Sequence, residues 1–405
     1  MYPSLYHFLL ETFGIEITLL KVINTFGLFV AFAFVGASIC QSKELMRKFE
    51  EGKLLATEKN VLRGKGLNVL NLVINLIIGF LIGFKLIYLL FNQEEATIDP
   101  PAFFLSSTGS VWGGILVSLL FGYSQYRDYI KEKKKYPEEK NVLTKILPQH
   151  LSGNITLVAA IFGIAGAKLF HLLENPKELQ DFFSDFSAQN FLSGLTIYGG
   201  LIVGGIAVLI YMYRNKIHPL HGADANAPGL FLAYGIGRLG CHFSGDGDWG
   251  IANSNPKPFS WLPDWLWSYP YPNNVLSWSR YSEKGGYTGK ALTEDMGYYI
   301  HEGYGTYLDP GVYPTPVYEA LFSIAVFFLL WKFRKKFIIP GTLLCVYLMI
   351  NGFERFWIEK IRVNEDLSWW SNVTQAELIS VSLFLLGLIG FIYLKKRNKT
   401  DLTLQ

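Results

Sequence analysis

Four short stretches of this 405-residue chain carry residues whose types and spacing suit chemistry. Arg238 stands deep inside the apolar, glycine-studded run 224–250. In Arg355-Phe-Trp-Ile-Glu359-Lys-Ile-Arg362 two arginines and a glutamate recur at intervals of three and four residues, with Asn351 one turn earlier. At helical spacing these four share one face. Tyr313-Pro-Thr-Pro-Val-Tyr-Glu319 sets Tyr318 and Glu319 just after a helix start signal. Tyr198-Gly199-Gly200 opens another apolar run, and Lys168 and His171 close the run before it. A charge in such surroundings is costly and rarely idle. Two arginines can grip a phosphate bidentately, and a base within hydrogen-bond reach can take a proton.

The elements that position these residues follow from composition. Half of the residues are hydrophobic and 17% are charged, with a mean hydropathy of +0.25. That balance excludes an ordinary soluble domain and implies an all-α polytopic membrane protein. The net charge of +3 says little beside its distribution, and nothing in it points to nucleic acid. Cys40, Cys241 and Cys345 lie in or beside apolar segments, with no paired framework and no metal-ligand spacing. No metal or other cofactor is expected. The first residues lack a basic region and a small-residue cleavage site, so the first apolar segment is expected to serve as its own insertion signal.

A membrane helix needs about 20 apolar residues. Candidates fall at 18–40, 67–91, 109–124, 152–173, 194–213, 226–243, 315–333, 339–358 and 376–394, giving about nine transmembrane helices. Every second connection is rich in Lys or Arg, from 43–66 through 125–147 and 214–222 to 332–336 and the tail at 395–399. The alternation puts the N-terminus outside and the C-terminus in the cytoplasm. It also makes the aromatic-rich connection 244–314 a long extracytoplasmic loop. With that topology Lys168, Tyr198, Arg238, His242, Glu319, Arg355 and Glu359 all arrive at the outer leaflet. One reading is an ion-pair network, Arg355 with Glu359 or Glu319 and Arg238 with a second carboxylate. The other is a cationic pocket at headgroup depth, with a phospholipid headgroup as ligand. The nearby glycines would let helices or an acyl chain approach closely.

Two motifs are set aside. Gly235-Ile-Gly-Arg-Leu-Gly240 matches a dinucleotide fingerprint, but it lies within a membrane helix instead of after a strand. Asp246-Gly-Asp-Trp-Gly250 could start a calcium loop, but its twelfth position is Lys257, so it reads as a turn. A repeat is more informative. Gly83-Phe-Lys-Leu-Ile-Tyr-Leu-Leu-Phe-Asn92 is similar to Gly166-Ala-Lys-Leu-Phe-His-Leu-Leu-Glu-Asn175. Each is followed by Phe-Leu-Ser and then an aromatic-Gly-Gly, Trp112-Gly-Gly114 and Tyr198-Gly-Gly200. A helix pair is duplicated in the same orientation.

At these residues the chain resembles the prolipoprotein diacylglyceryl transferase family of bacterial inner-membrane enzymes. The resemblance rests on Phe26-Gly-Leu-Phe, Tyr198-Gly-Gly-Leu-Ile, Asp224-Ala-Asn-Ala-Pro and Gly237-Arg-Leu-Gly-Cys-His-Phe-Ser-Gly-Asp246. Tyr313-Pro-Thr-Pro-Val-Tyr-Glu319 and Arg355-Phe-Trp-Ile-Glu359-Lys-Ile-Arg362 continue it. It covers the first helix and then 152–394, which implies seven family-like helices plus an inserted pair. The chain then divides into 1–42 (first helix), 43–150 (inserted pair with basic cytoplasmic connections), 151–395 (transferase-like core) and 396–405 (basic tail).

What the resemblance implies is transfer of the diacylglyceryl group of phosphatidylglycerol to the thiol of a lipobox cysteine in a prolipoprotein signal peptide, with glycerol phosphate leaving. Arg238 and Arg355 would neutralise the departing phosphate. The catalytic set is then Tyr198, Arg238, Arg355 and Glu359. Substrate-binding residues are Phe26, Lys168, Gly199, Gly200, Cys241, His242, Asp246, Tyr318, Glu319, Asn351 and Arg362. The chain departs from the family at four of these positions. Tyr198 replaces a histidine, Cys241 an asparagine, Asp246 a glutamate and Phe26 a tyrosine. Tyr198 is expected to orient or take the thiol proton, with Glu359, Glu319 or His242 as alternatives. Competing functions are a non-catalytic lipid or lipoprotein binder, a transferase with another acceptor, and a transporter.

Overall fold

The computed structural model describes residues 1–94, 100–176, 179, 194, 196–245, 248–273, 288–291, 306–363, 366–367 and 370–403. Among them a short helix α1 (Leu5–Phe13) precedes nine long helices. These are α2 (Thr25–Glu50), α3 (Val69–Phe91), α4 (Val111–Lys135), α5 (Ser152–Glu174), α6 (Ile197–Arg214), α7 (Pro219–Ser244), α8 (Thr315–Phe333), α9 (Thr342–Glu359) and α10 (Gln375–Thr403). All nine overlap the predicted apolar segments, but α2 and α4 run on to Glu50 and Lys135, into stretches expected to be basic connections. Five are long and apolar enough to cross a membrane: α2, α3, α5, α8 and α10; α6 is apolar but shorter. The remaining three carry charge: the lysine-rich end of α4, Asp224 and Arg238 in α7, and Glu354, Arg355 and Glu359 in α9.

Local chemistry sets several helix starts. The side chains of Asn24, Asn68 and Ser110 each accept a backbone N–H three residues on, at 3.0 to 3.1 Å. Asp224 does the same job at long range. Its carboxylate accepts the N–H groups of Gly341 (2.8 Å) and Leu344 (2.9 Å), capping α9 from α7. The helix that carries Arg355 is thereby fixed to the helix that carries Arg238. This explains why α7 begins at Pro219, well before its apolar stretch: the polar residues there are satisfied by partners. Lys48 approaches Asp224 at 3.7 Å, and buried Glu44 pairs with Arg47 and Arg334. The basic connections at this end are thus tied to carboxylates.

The duplication is visible as geometry. Helices α3 and α4 pack as an antiparallel pair, and α5 and α6 pack as another. In the first, Gly83 and Gly113 face each other, and a methyl group on Gly113 would overlap Ile87 and the Gly83 carbonyl. In the second, Gly166 and Gly199 face each other, with Phe170 in the place of Ile87. Val117 and Val203 also correspond. Even a connecting hydrogen bond repeats. Ser110 N–H donates to Phe84 O (2.8 Å), and Thr196 N–H donates to Ala167 O (3.1 Å). Lys85 donates to the carbonyls of Phe103 (2.7 Å), Ser106 (2.6 Å) and Thr108 (2.8 Å), which satisfies its ammonium within an apolar helix. Lys168 is buried at the matching place in α5.

The basic connections flanking the first pair are more than loops. They form strands β1 (Thr57–Arg63) and β2 (Lys140–Ile146), antiparallel from Thr57↔Ile146 to Arg63↔Lys140. Entry to and exit from the α3–α4 pair therefore meet at one point. Between α7 and α8 a compact aromatic core gathers Met1, Trp249, Tyr271, Leu308, Val312 and Val363. It is stitched by the bridges Gly250↔Arg362, Ala252↔Val312 and Tyr269↔Val312, and edged by the hairpin β3 (Thr288–Ala291) with β4 (Thr306–Asp309).

Candidate active site

Three guanidinium groups and three carboxylates meet where α7, α8 and α9 converge. Arg238 lies one turn beyond Tyr234 on α7, and both reach Glu319 in the first turns of α8. Glu319 is fully buried. Its Oε1 accepts from Arg238 Nη2 (2.6 Å) and Arg362 Nη1 (3.1 Å), and its Oε2 accepts the Tyr234 hydroxyl. Arg355 Nη1 lies 3.9 Å from the same carboxylate, while its Nη2 pairs with Glu359 at 3.0 Å. Glu359 also accepts from the Thr374 hydroxyl at the start of α10 (2.9 Å). Buried charges survive only when paired and hydrogen-bonded in this way.

The third carboxylate is Asp248, which bridges Arg238 Nη1 and Arg362 Nη2. The chain reaches this position because Gly245 ends α7 in a left-handed conformation, φ 67°. Trp249 is then buried in the aromatic core, and Gly250 donates to Tyr313 O (2.9 Å). A side chain at Gly250 would meet the Ile361 carbonyl at 2.5 Å, so the close approach demands glycine. Arg362 departs from the sequence expectation. Helix α9 ends at Glu359, and Arg362 sits on the bridge opposite Gly250, off the helical face shared by Asn351, Arg355 and Glu359. That bridge aims it between Asp248 and Glu319.

Tyr198, at the start of α6, lies beside Arg355, with the charges of Glu359 and Arg362 next to it. Two donors in the cluster have no acceptor among the described residues: the buried Nε–H groups of Arg238 and Arg362. The arrangement is a paired cationic cluster with spare N–H donors, suited to an oxyanion.

The comparisons with known proteins bear on this geometry. The model of the prolipoprotein diacylglyceryl transferase family matches residues 134–393. The chain belongs to that family. Among similar proteins is the phosphatidylglycerol–prolipoprotein diacylglyceryl transferase of Prochlorococcus marinus (strain MIT 9301). It is 28% identical over 313 residues, covering 71% of this chain and 89% of the relative. That of Staphylococcus carnosus (strain TM300) is 28% identical over 310 residues, covering 74% and 91%. That of Corynebacterium glutamicum (strain ATCC 13032) is 30% identical over 250 residues, covering 60% and 69%. Diacylglyceryl transfer to a prolipoprotein is the activity of this transferase family, and the matched span contains the whole cluster.

The other expected residues of the transferase divide. Cys241 is buried with its Sγ 3.7 Å from Arg238 Nη1. Gly199 and Gly200 pack against the backbone of α5, so their smallness serves helix approach. Phe26 is part-exposed and packs beside Gly240. Tyr318 donates to Leu266 O (2.6 Å) and lines a groove between α8 and α9. Asn351 is half-buried one turn before Arg355. His242 belongs to the aromatic core, with Nδ1 3.2 Å from the Tyr271 hydroxyl, away from the arginines. Asp246 lies outside the described residues. Sequence reasoning missed Asp248, Tyr234 and Glu354. Tyr234 was signalled by standing one turn before Arg238, whereas Asp248 read only as part of a turn.

Proposed function

We propose that the protein transfers the diacylglyceryl group of phosphatidylglycerol to the thiol of a lipobox cysteine in a prolipoprotein signal peptide, releasing glycerol phosphate. It does so as a multi-pass protein of the bacterial inner membrane. All nine long helices span the bilayer, with the N-terminus outside, the C-terminus cytoplasmic and the arginine cluster facing the extracytoplasmic side. The alternation of basic connections supports that orientation. The observation that carries the chemistry is the cluster of Arg238, Arg355 and Arg362 around buried Glu319, with the Nε–H of Arg238 and Arg362 unpartnered among the described residues.

Displacement at the glyceryl carbon moves charge onto the departing phosphate, and preorganised guanidinium donors stabilise it in a water-poor site. Glu319 and Asp248 hold Arg238 and Arg362 in place, and Glu359 holds Arg355. Tyr198 orients the incoming thiol beside Arg355. Lys168, Gly199 and Gly200 position the start of α6, and Phe26, Cys241, His242, Asp246, Tyr318 and Asn351 line the approach. Cys241 is a neighbour of the phosphate and takes no covalent part. The test is purified protein in phosphatidylglycerol nanodiscs with a lipobox peptide, scored by mass for the added diacylglyceryl group. The peptide is expected to gain that mass as a thioether. Bound lipid without turnover would favour a non-catalytic binder, and glycerol phosphate release without peptide modification would point to another acceptor.

A further inference from the structure

One buried acid has no role in the network. Glu354, next to Arg355 on α9, is 8% exposed, and neither of its carboxyl oxygens has a hydrogen-bond partner among the described residues. The other buried acids among the described residues, Glu44, Asp224, Glu319, Glu359 and Glu377, all have partners. Burying an unsatisfied carboxyl is expensive unless a ligand completes it. Glu354 lines a groove of about 590 Å³ between α8 and α9, whose other walls are Tyr318, Phe322, Phe353, Trp357 and Ile358. The groove is apolar apart from this acid and the Tyr318 hydroxyl, and that hydroxyl is already committed to Leu266 O. The charges of Glu319, Arg355, Arg238 and Arg362 all act on Glu354, so it borders the arginine cluster. Its charge also acts on Tyr234 and Tyr347.

We propose that Glu354 is the proton acceptor of the transfer, with the acceptor cysteine entering along the α8–α9 groove. This rests on the reading above that the acceptor is a thiol. The S–H proton passes to the Glu354 carboxylate. The sulfur electron pair forms the bond to the glyceryl carbon as that carbon's bond to the phosphate oxygen breaks. The oxygen leaves with the bonding pair, and the new negative charge of glycerol phosphate falls on Arg238, Arg355 and Arg362. The alternatives are otherwise engaged: Glu319 and Glu359 by arginines, and His242 by the aromatic core. An apolar groove suits the hydrophobic stretch of a signal peptide, and Glu354 is the one carboxylic acid among its lining residues.

The test compares wild-type and Glu354→Gln full-length enzyme in phosphatidylglycerol nanodiscs, with a lipobox peptide carrying either cysteine or selenocysteine. A selenol is already ionised at neutral pH and needs no base. With the cysteine peptide the variant is expected to lose on the order of 10²-fold or more in kcat. With the selenocysteine peptide it is expected to return to within about tenfold of wild type, as bypassing proton removal requires. Glu354→Asp, which keeps a carboxyl, is expected to retain measurable transfer to cysteine, and it carries the test if the glutamine variant does not fold. Equal cysteine rates in wild type and Glu354→Gln would overturn the assignment alone. So would a folded Glu354→Gln that selenocysteine does not rescue, or a folded Glu354→Asp with no transfer. A wild-type enzyme that modifies neither peptide would overturn the thiol-transfer reading itself, and this assignment with it.

Discussion

Placing one methyl group at each of two matched glycines separates helix packing from chemistry within a single chain. On Gly199 a Cβ would stand 2.5 Å from the Gly166 carbonyl oxygen, and on Gly113 it would stand 2.7 Å from that of Gly83. The nearest atom at each is closer still, the Cβ of Phe170 or of Ile87 at 2.4 Å, and ordinary contact begins near 3.4 Å, so Gly199→Ala must push α6 from α5, and Gly113→Ala α4 from α3, by about 1.0 Å. Overpacking of this kind costs about 1–3 kcal/mol at either site. The consequences for turnover differ. Tyr198 precedes Gly199 and lies beside Arg355, and a shift of about 1 Å in a positioning element can cost about 10²-fold in rate. Gly113 belongs to the pair that carries none of the arginine cluster. Thioether formation in nanodiscs, read with thermal melting of both variants, is the assay. Gly199→Ala is expected to lose about 100-fold in kcat/KM and Gly113→Ala no more than about threefold, with similar losses in melting temperature. Equal activities would refute the claim that α6 is held to α5 for the sake of Tyr198.

Arg238→Lys keeps the charge but cannot span Glu319 and Asp248 together. About 10- to 100-fold should be lost from kcat/KM, matching about 1.5–3 kcal/mol for a charge-assisted hydrogen bond. Glu319→Gln leaves three guanidiniums short of their shared anion, and melting in detergent should show a destabilisation of about 3–5 kcal/mol. Cys241→Ser is expected to stay within about threefold of wild-type activity, since the proposed direct transfer needs no enzyme thiol and serine can still accept from Arg238. A loss beyond 100-fold together with lipid covalently bound to the wild-type protein would demand a different reaction path. Removing residues 64–139 and closing Arg63 to Lys140 with a two-residue turn uses a register already present. The shortened protein should fold and retain transfer, and aggregation on purification would show that α3–α4 supports the core.

The nine long helices among the described residues were legible because apolar segments of helical length recur along the chain. The duplication was legible because its glycines recur where the two helices of each pair approach most closely. Three features were not legible, each for a physical reason. Residues 219–225 look too polar for a membrane helix, yet Asp224 finds its partners in the backbone of α9. Arg362 follows the spacing of α9 but leaves the helix, because the backbone at 361–362 pairs with 250–251 instead. Asp248 read as part of a turn, since nothing local reveals that burial of Trp249 and the fit of Gly250 swing its side chain between two arginines.

The equal number of cations and anions in the cluster has a consequence for the order of events. The ion pairs themselves match three guanidiniums with Glu319, Glu359 and Asp248, with Glu354 standing outside the pairing. In the proposed transfer a phosphodiester entering the cluster would exchange with one of these anions, and Asp248, the most exposed of the three carboxylates, is the one positioned to give way. Bond cleavage then turns a singly charged guest into a phosphomonoester carrying up to one more negative charge. In surroundings of low dielectric that surplus is unfavourable, and the return of Asp248 to its two arginines drives the product outward. The same carboxylate that must yield to admit the lipid thus resets the site by displacing what the lipid leaves behind.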